Sequence, residues 1–358
     1  MFLSLPEDLD RNFASSSRIN ESGRKNDSRV THLGVANTLL EMSDEKARRL
    51  LALSRELHWA FPSSQGTPIV KGDLTSQQVE HAVRERESYA NAARVLLDNG
   101  DEEGAVEIAS NAWRLWRVAR DVAGGRAFLA TILDEGEKKS SRTRSLALYG
   151  DALLAFLQGK IEESRQRSQA ALDAALAVND PEALTLSYLA LSRVAFEDGD
   201  YTQSLSLAVK AREFARNQDP ALGQAPLFLH ASATRMTGDY DQAAALFEQS
   251  LALNRKINDQ GMVGAELQNL GLVEIHRGNT DAAERYFAES ERLGCTDDPY
   301  NTAMASLYGA FIAFGRGNKN ESRTLLQRAQ AILKEAKMNA GPDDQFEINW
   351  LSVHLESN

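Results

Sequence analysis

Thr237-Gly238-Asp239-Tyr240-Asp241-Gln242-Ala243 joins two apolar-patterned segments, and the chain makes this kind of turn five times. The counterparts are Gln158-Gly159-Lys160, Asp198-Gly199-Asp200, Arg277-Gly278-Asn279 and Arg316-Gly317-Asn318. The steps 159→199, 199→238, 238→278 and 278→317 are 40, 39, 40 and 39 residues. A steady period of roughly 20–50 residues marks a solenoid, in which each unit buries its apolar face only against its neighbours.

After the turn at Gly238, apolar residues fall at Tyr240, Ala243, Leu246, Phe247, Leu251 and Leu253, with Ser250 between them. That is a 3.6-residue period, hence an amphipathic helix. The stretch before the turn, 225–236, is mostly apolar, as a helix packed on two sides must be. Glycine suits the left-handed position that ends a helix, and Asp239 can cap the next one. Five residues after each turn glycine comes a small residue: Ser164, Ser204, Ala243, Ala283 and Ser322. Nine after it come Ser168, Ala208, Phe247, Phe287 and Leu326; twelve after it come Ala171, Ala211, Ser250, Ser290 and Ala329. Small residues let the two helices of a hairpin approach, and the larger ones fill the groove between them.

Gly238-Asp239-Tyr240 with Ala243, Gly199-Asp200-Tyr201 with Ser204, Gly278-Asn279-Thr280 with Ala283, and the pair Leu270-Gly271 resemble the tetratricopeptide repeat. The usual period of that repeat is 34, so each helix here is longer by half a turn to one turn. Such long repeats resemble those of maltose-activator-type bacterial regulators and quorum-sensing peptide receptors. Upstream, Ser88-Tyr89-Ala90-Asn91-Ala92-Ala93, the Trp113 and Trp116 helix, and Gly124-Gly125-Arg126-Ala127-Phe128-Leu129 look like the first repeats of large LuxR-type activators, with Gly124 and Phe128 where those carry Glu and Trp. The resemblance covers roughly 80–340. It implies an all-α, right-handed solenoid of helical hairpins with a binding function, either as an adaptor or sensor, or as a regulator component whose DNA-binding or ATPase module is on another chain.

The expected organisation is a disordered arm over 1–31, rich in Ser, Asn, Arg and Asp over 10–31; a helix and loop over 32–74; the solenoid over 75–340; and a capping helix over 341–358. Within the second segment, 43–60 reads as a helix capped by Ser43, and 61–68 reads as a loop.

The chain of 358 residues carries a net charge of −11, which disfavours phosphate backbones and so direct nucleic-acid binding. Cys295 is the single cysteine, so no internal disulfide forms and a reducing, cytoplasmic setting is the default. There is no run of 18 apolar residues and no secretory pattern, hence no membrane span is expected. Gly-x-x-x-x-Gly-Lys-Ser/Thr, His-Glu-x-x-His, Cys-x-x-Cys and Gly-x-Ser-x-Gly are absent, and the six histidines are scattered. The reading is therefore a non-enzyme without catalytic residues, cofactor or metal. The segment before residue 80 is too short for the nucleotide-binding module that such regulators carry.

Peptide-binding tetratricopeptide proteins use an Asn nine residues before the turn glycine. The resemblance carries that role to Asn91, before Gly100, and Asn269, before Gly278; other repeats have Gly150, Ala190, Leu229 and Tyr308 there. Interhelical hydrogen bonding is the alternative for both. The first helices also offer Arg94, Arg193, Arg235, Gln268 and His276 to the inner face. Arginine forks suit carboxylates, so the expected partner is a protein or peptide with an acidic or free-carboxylate segment, a homo-oligomer being compatible. Arg193 and Arg235 are expected to face one groove about 10 Å apart. The competing reading pairs the arginines with Glu87, Asp98, Glu197 or Glu266. Tyr149, Phe156, Phe196, Phe228, Phe311 and Phe314 read as core.

Overall fold

The computed structural model describes residues 42–57, 60–62, 68–70, 76–135, 139–293 and 299–356. The arm, Trp59, Thr75 and Cys295 lie outside them. Among the described residues the chain forms two compact units that meet in sequence at Val178 and Asn179.

The unit 42–178 contains α1 (Asp44–Leu57), β1 (Ala60–Pro62), β2 (Pro68–Val70), α2 (Ser76–Arg84), α3 (Arg86–Asp98), α4 (Glu102–Val118), α5 (Val122–Glu135), α6 (Arg142–Leu157) and α7 (Ile161–Val178). The unit 179–356 contains α8 (Pro181–Glu197), α9 (Tyr201–Ala215), α10 (Gln224–Met236), α11 (Tyr240–Lys256), α12 (Gln260–His276), α13 (Thr280–Arg292), α14 (Pro299–Gly315), α15 (Lys319–Glu335) and α16 (Pro342–Glu356). The fold is an all-α solenoid of tetratricopeptide-like hairpins: α3/α4 and α6/α7 in the first unit, then α8/α9, α10/α11, α12/α13 and α14/α15 in the second.

Six glycines sit at positive φ, and they are the hairpin turns: Gly100, Gly159, Gly199, Gly238, Gly278 and Gly317, at φ between 71° and 88°. The side chains of Asp101, Asp200, Asp239 and Asn318, each the next residue after its glycine, accept a backbone N–H of the helix that follows. Every residue five, nine and twelve after the five periodic glycines is buried, Phe287 being the most accessible at 9%. Gly271 belongs to this close packing. A β-carbon there would lie 2.3 Å from the Phe287 ring, so α12 and α13 meet only because the position has no side chain.

The step from Gly100 to Gly159 is longer than the period because α5 stands between the first two hairpins, packed on α4 and α6. Trp116 stacks on Phe128 of α5 at 4.6 Å, and Trp113 meets Tyr149 edge-on at 6.0 Å. Helix α1 covers α3 and α4.

Two expectations are corrected. The helix expected over 43–60 is described only to Leu57, and the loop expected after it contains a two-stranded antiparallel ribbon, Ala60 facing Val70 and Pro62 facing Pro68. The strands are three residues long, too short for an alternating pattern, and Pro occupies their ends, where a ladder N–H can be dispensed with.

The apolar side of α16, Ile348, Leu351 and Leu355, is buried in one cluster with Leu272 of α12 and Tyr300, Leu307 and Phe311 of α14. Arg323 of α15 donates to the Leu355 carbonyl at 2.7 Å. The helix thus extends beyond the last hairpin onto the first helices of earlier ones.

Candidate ligand site in the second unit

The polar side of α16 carries Asp343, Asp344 and Glu347, and each has a partner on a first helix of a hairpin. Asp343 and Asp344 lie in the opening turn of α16, where the helix dipole favours negative charge. Arg235, near the end of α10 and 1% exposed, donates to Glu347 and, at 3.3 Å, to Asp343. His276, at the end of α12, meets the other Glu347 oxygen through Nε2 at 2.8 Å. Its ring stacks on Tyr240 at 4.7 Å and meets Trp350 of α16 edge-on at 4.9 Å. Tyr300 of α14 donates to Asp344 and accepts from the Gly341 N–H at 3.3 Å.

Burial and the adjacent Asp343 push the Asp344 carboxyl up to about 6. Burial, with the neighbouring Asp344, also holds the hydroxyls of Tyr300 and Tyr308 firmly protonated. Beside these groups a small cleft opens between α12, α14 and α16. Its walls include Gln268, Asn269, Tyr300, Tyr308, Asp343 and Asp344.

The sequence-selected residues therefore fall into three places. Arg235, Gln268, Asn269 and His276 come together around α16. Arg193, on α8 of the same unit, is half-buried. Asn91 and Arg94 lie in the other unit, on α3, where Arg94 pairs with Asp98 at 3.0 Å and Glu135 at 2.7 Å. The expectation that Arg235 faces an open groove beside Arg193 is corrected: its guanidinium is enclosed by carboxylates 108 and 112 residues away in sequence. Asn269 lines the cleft and donates to Ala265 O at 3.0 Å within its own helix, and its Oδ1 has no partner among the described residues. Of the six aromatic residues read as core, Tyr149, Phe156, Phe196, Phe228 and Phe311 are buried, and Phe314 packs partly buried against the last cluster.

Sequence reasoning passed over Tyr300, Asp343, Asp344 and Glu347 as site residues. Tyr308 was reachable: it lies nine residues before Gly317, the place that Asn269 holds before Gly278, and both line the cleft. Among the described residues no group of three or more His, Cys, Asp or Glu side chains is placed to hold a metal, and no helix is long and apolar enough to cross a membrane.

No protein-family model matches the chain, and no curated protein matches it in sequence. Solved structures do match its fold. A chain of the APC/C hetero-tetramer Cut9–Hcn1 aligns at 15% identity and TM-score 0.53, over 80% of this chain and 49% of that one, so the match spans about half the length of that protein. The quorum sensor NprR from B. thuringiensis in its apo form aligns at 16% identity and TM-score 0.51, over 77% and 80% of the two chains. NprR in complex with its cognate peptide NprX aligns at 17% identity and TM-score 0.52, over 76% and 82%. These likenesses concern the tetratricopeptide-like fold.

Proposed function

We propose that the chain is a non-catalytic adaptor or sensor that binds a peptide or protein segment on the face formed by the first helices of the unit 179–356. One observation carries this reading. That face already holds a helix by side-chain recognition, with Arg235, His276 and Tyr300 each engaging a carboxylate of α16. A surface that reads one segment through charge and aromatic contacts has the chemistry to read another. The peptide complex of NprR, on a related fold, lends support. The acidic segment expected of an external ligand has a counterpart inside the chain, the opening turn of α16. The single cysteine fits a cytoplasmic setting. A second reading makes the chain the signal-responsive part of a transcription regulator. It rests on the likeness of residues 88–133 to the first repeats of LuxR-type activators and on the quorum sensor among the structural neighbours.

The test is capture from native lysate by the full chain and by Arg193→Glu/Gln268→Ala, compared by quantitative mass spectrometry. The variant is expected to lose the specific partner with its melting unchanged. Unaltered capture would move the binding surface elsewhere, the α3 face with Asn91 and Arg94 being the next to substitute.

A further inference from the structure

The cleft between α12, α14 and α16 has a charge surplus and two polar groups without a described partner. Three carboxylates, Asp343, Asp344 and Glu347, stand against the Arg235 guanidinium and the His276 imidazole. Asp343 is 6% and Asp344 8% exposed, so water screens them poorly, and a buried charge without its counter-charge is costly. The Tyr308 hydroxyl, on a residue 9% exposed, makes no hydrogen bond to a described residue, and neither does Asn269 Oδ1, on a residue 7% exposed. Both residues line the cleft, beside the apolar Leu272 and Met304. Neither atom is sealed off, so a ligand that enters the cleft can reach both.

We propose that this cleft binds a primary ammonium group, with Asp343 and Asp344 as counter-charge and with Asn269 Oδ1 and the Tyr308 hydroxyl as the acceptors that orient it. An ammonium is a compact charge with three donors, and the acceptors here come from three helices rather than from one plane, as a guanidinium fork would need. A neutral ligand would satisfy the hydroxyl and the amide but leave the carboxylate surplus. The walls of Leu272 and Met304 then take the alkyl part next to the nitrogen. The shared chemistry is that of a peptide amino terminus and of a small alkylamine. The inference rests on the peptide-binding reading and gives it an orientation, amino end inward.

Affinity carries a pH signature. Asp344 faces Asp343 on its own helix, Tyr300 and Tyr308 on α14, and Arg235 on α10. Its carboxyl attracts a cation only when ionised, so binding rises as pH passes upward through about 6.

The experiment is calorimetric titration of the full chain with Leu-Ala-Ala-Leu-amide, the same peptide N-acetylated, and n-butylammonium chloride. The free-amine peptide is expected to bind, and acetylation to weaken it at least about tenfold. Tyr308→Phe removes a hydroxyl that holds nothing else, so it is expected to weaken binding about five- to tenfold with an unchanged melting temperature. Butylammonium binding within about tenfold of the peptide assigns the site to small amines, and binding of the peptide alone assigns it to peptide amino termini. The proposal is overturned if the acetylated peptide binds as well as the free one, if Tyr308→Phe changes nothing, or if neither amine binds up to about 10 mM. A partner captured through Arg193 and Gln268 without any amine binding leaves the groove reading standing and removes this one alone.

Discussion

Each unit contains a charge network built on buried carboxylate, Asp151 in one and Asp343, Asp344 and Glu347 in the other, and the two are wired in opposite ways. In the unit 42–178 the charges alternate: Glu163, Arg126, Asp151, Arg167 and Asp134 follow one another, with contacts of 2.7, 2.9, 2.9 and 3.0 Å. Asp151 is 1% exposed and has a guanidinium on either side, the Arg167 contact being a close ion pair too bent for a hydrogen bond. In the unit 179–356 two carboxylates, Glu347 and Asp343, share Arg235, and Asp344 stands beside them with only tyrosine as donor. The first network separates like charges and closes on itself. The second crowds like charges at the edge of a cleft. Burial alone therefore does not separate the two networks; the surplus of one sign does.

The largest effect that tests the contrast is expected from Arg235→Met. Glu347 and Asp343 would remain buried without a guanidinium, a loss of about 3–5 kcal/mol. Arg126→Met leaves Asp151 with Arg167 and should cost clearly less. Urea denaturation followed by tryptophan fluorescence measures both, since Trp113 and Trp116 report on one unit and Trp350 on the other. Equal losses would break the comparison. Phe247→Ala, at a fully buried position between α10 and α11, is expected to cost about 3–5 kcal/mol through transfer and cavity terms, with the damage concentrated in its own unit. Melting like the parent chain would overturn the packing register.

Much of this was legible in the sequence, for reasons that differ by element. The hairpins were legible because their signals are local: a glycine that must take positive φ, a capping Asp or Asn next to it, and a 3.6-residue apolar stripe after it. The position nine residues before the turn led to Asn269; Tyr308, at the same position one repeat later, reads as a departure from Asn, although identical register places the two on one face. The partners of Arg235 were not legible. Pro342-Asp343-Asp344 reads as an ordinary helix start, and nothing local tells that its carboxylates meet an arginine more than a hundred residues earlier. The sequence reading did name Asp98 among the carboxylates that could pair with the arginines, and it is one helical turn from Arg94.

One carboxyl in each unit should also contribute a pH response of opposite sign. Burial raises the Glu266 carboxyl from 4.5 to about 8; its Oε1 accepts from the Ser250 hydroxyl at 2.5 Å and from Asn254 at 3.1 Å, while Oε2 has no partner. The folded unit 179–356 thus holds a proton that the unfolded chain releases. That stabilisation is complete below about 4.5 and is lost as pH rises through about 8. The slope is at most about 1.4 kcal/mol per pH unit. Glu266→Gln should flatten the decline between the two values, read as the Trp350 urea midpoint at several pH values. In the unit 42–178 the hydrogen bond from Arg126 holds Glu163 below its ordinary range. Its stabilisation is present above the unfolded value and is lost as pH falls, so acid should move the midpoint reported by Trp113 and Trp116 downward.

The smallest effect belongs to Arg94, chosen from the sequence on the same grounds as Arg235. Its guanidinium is 40% exposed, and its partners Asp98 and Glu135 are about half exposed. Water and salt screen such a pair, and ordering three long side chains offsets much of the attraction. Arg94→Ala should therefore shift stability by less than about 1 kcal/mol, and the difference should vanish at about 1 M salt. Arg235→Met should keep most of its cost in the same salt, because ions do not reach a guanidinium that is 1% exposed. If both losses fade together with salt, the carboxylates of α16 are screened by solvent, and neither the sharing of Arg235 nor the charge surplus beside the cleft is as the structure has it.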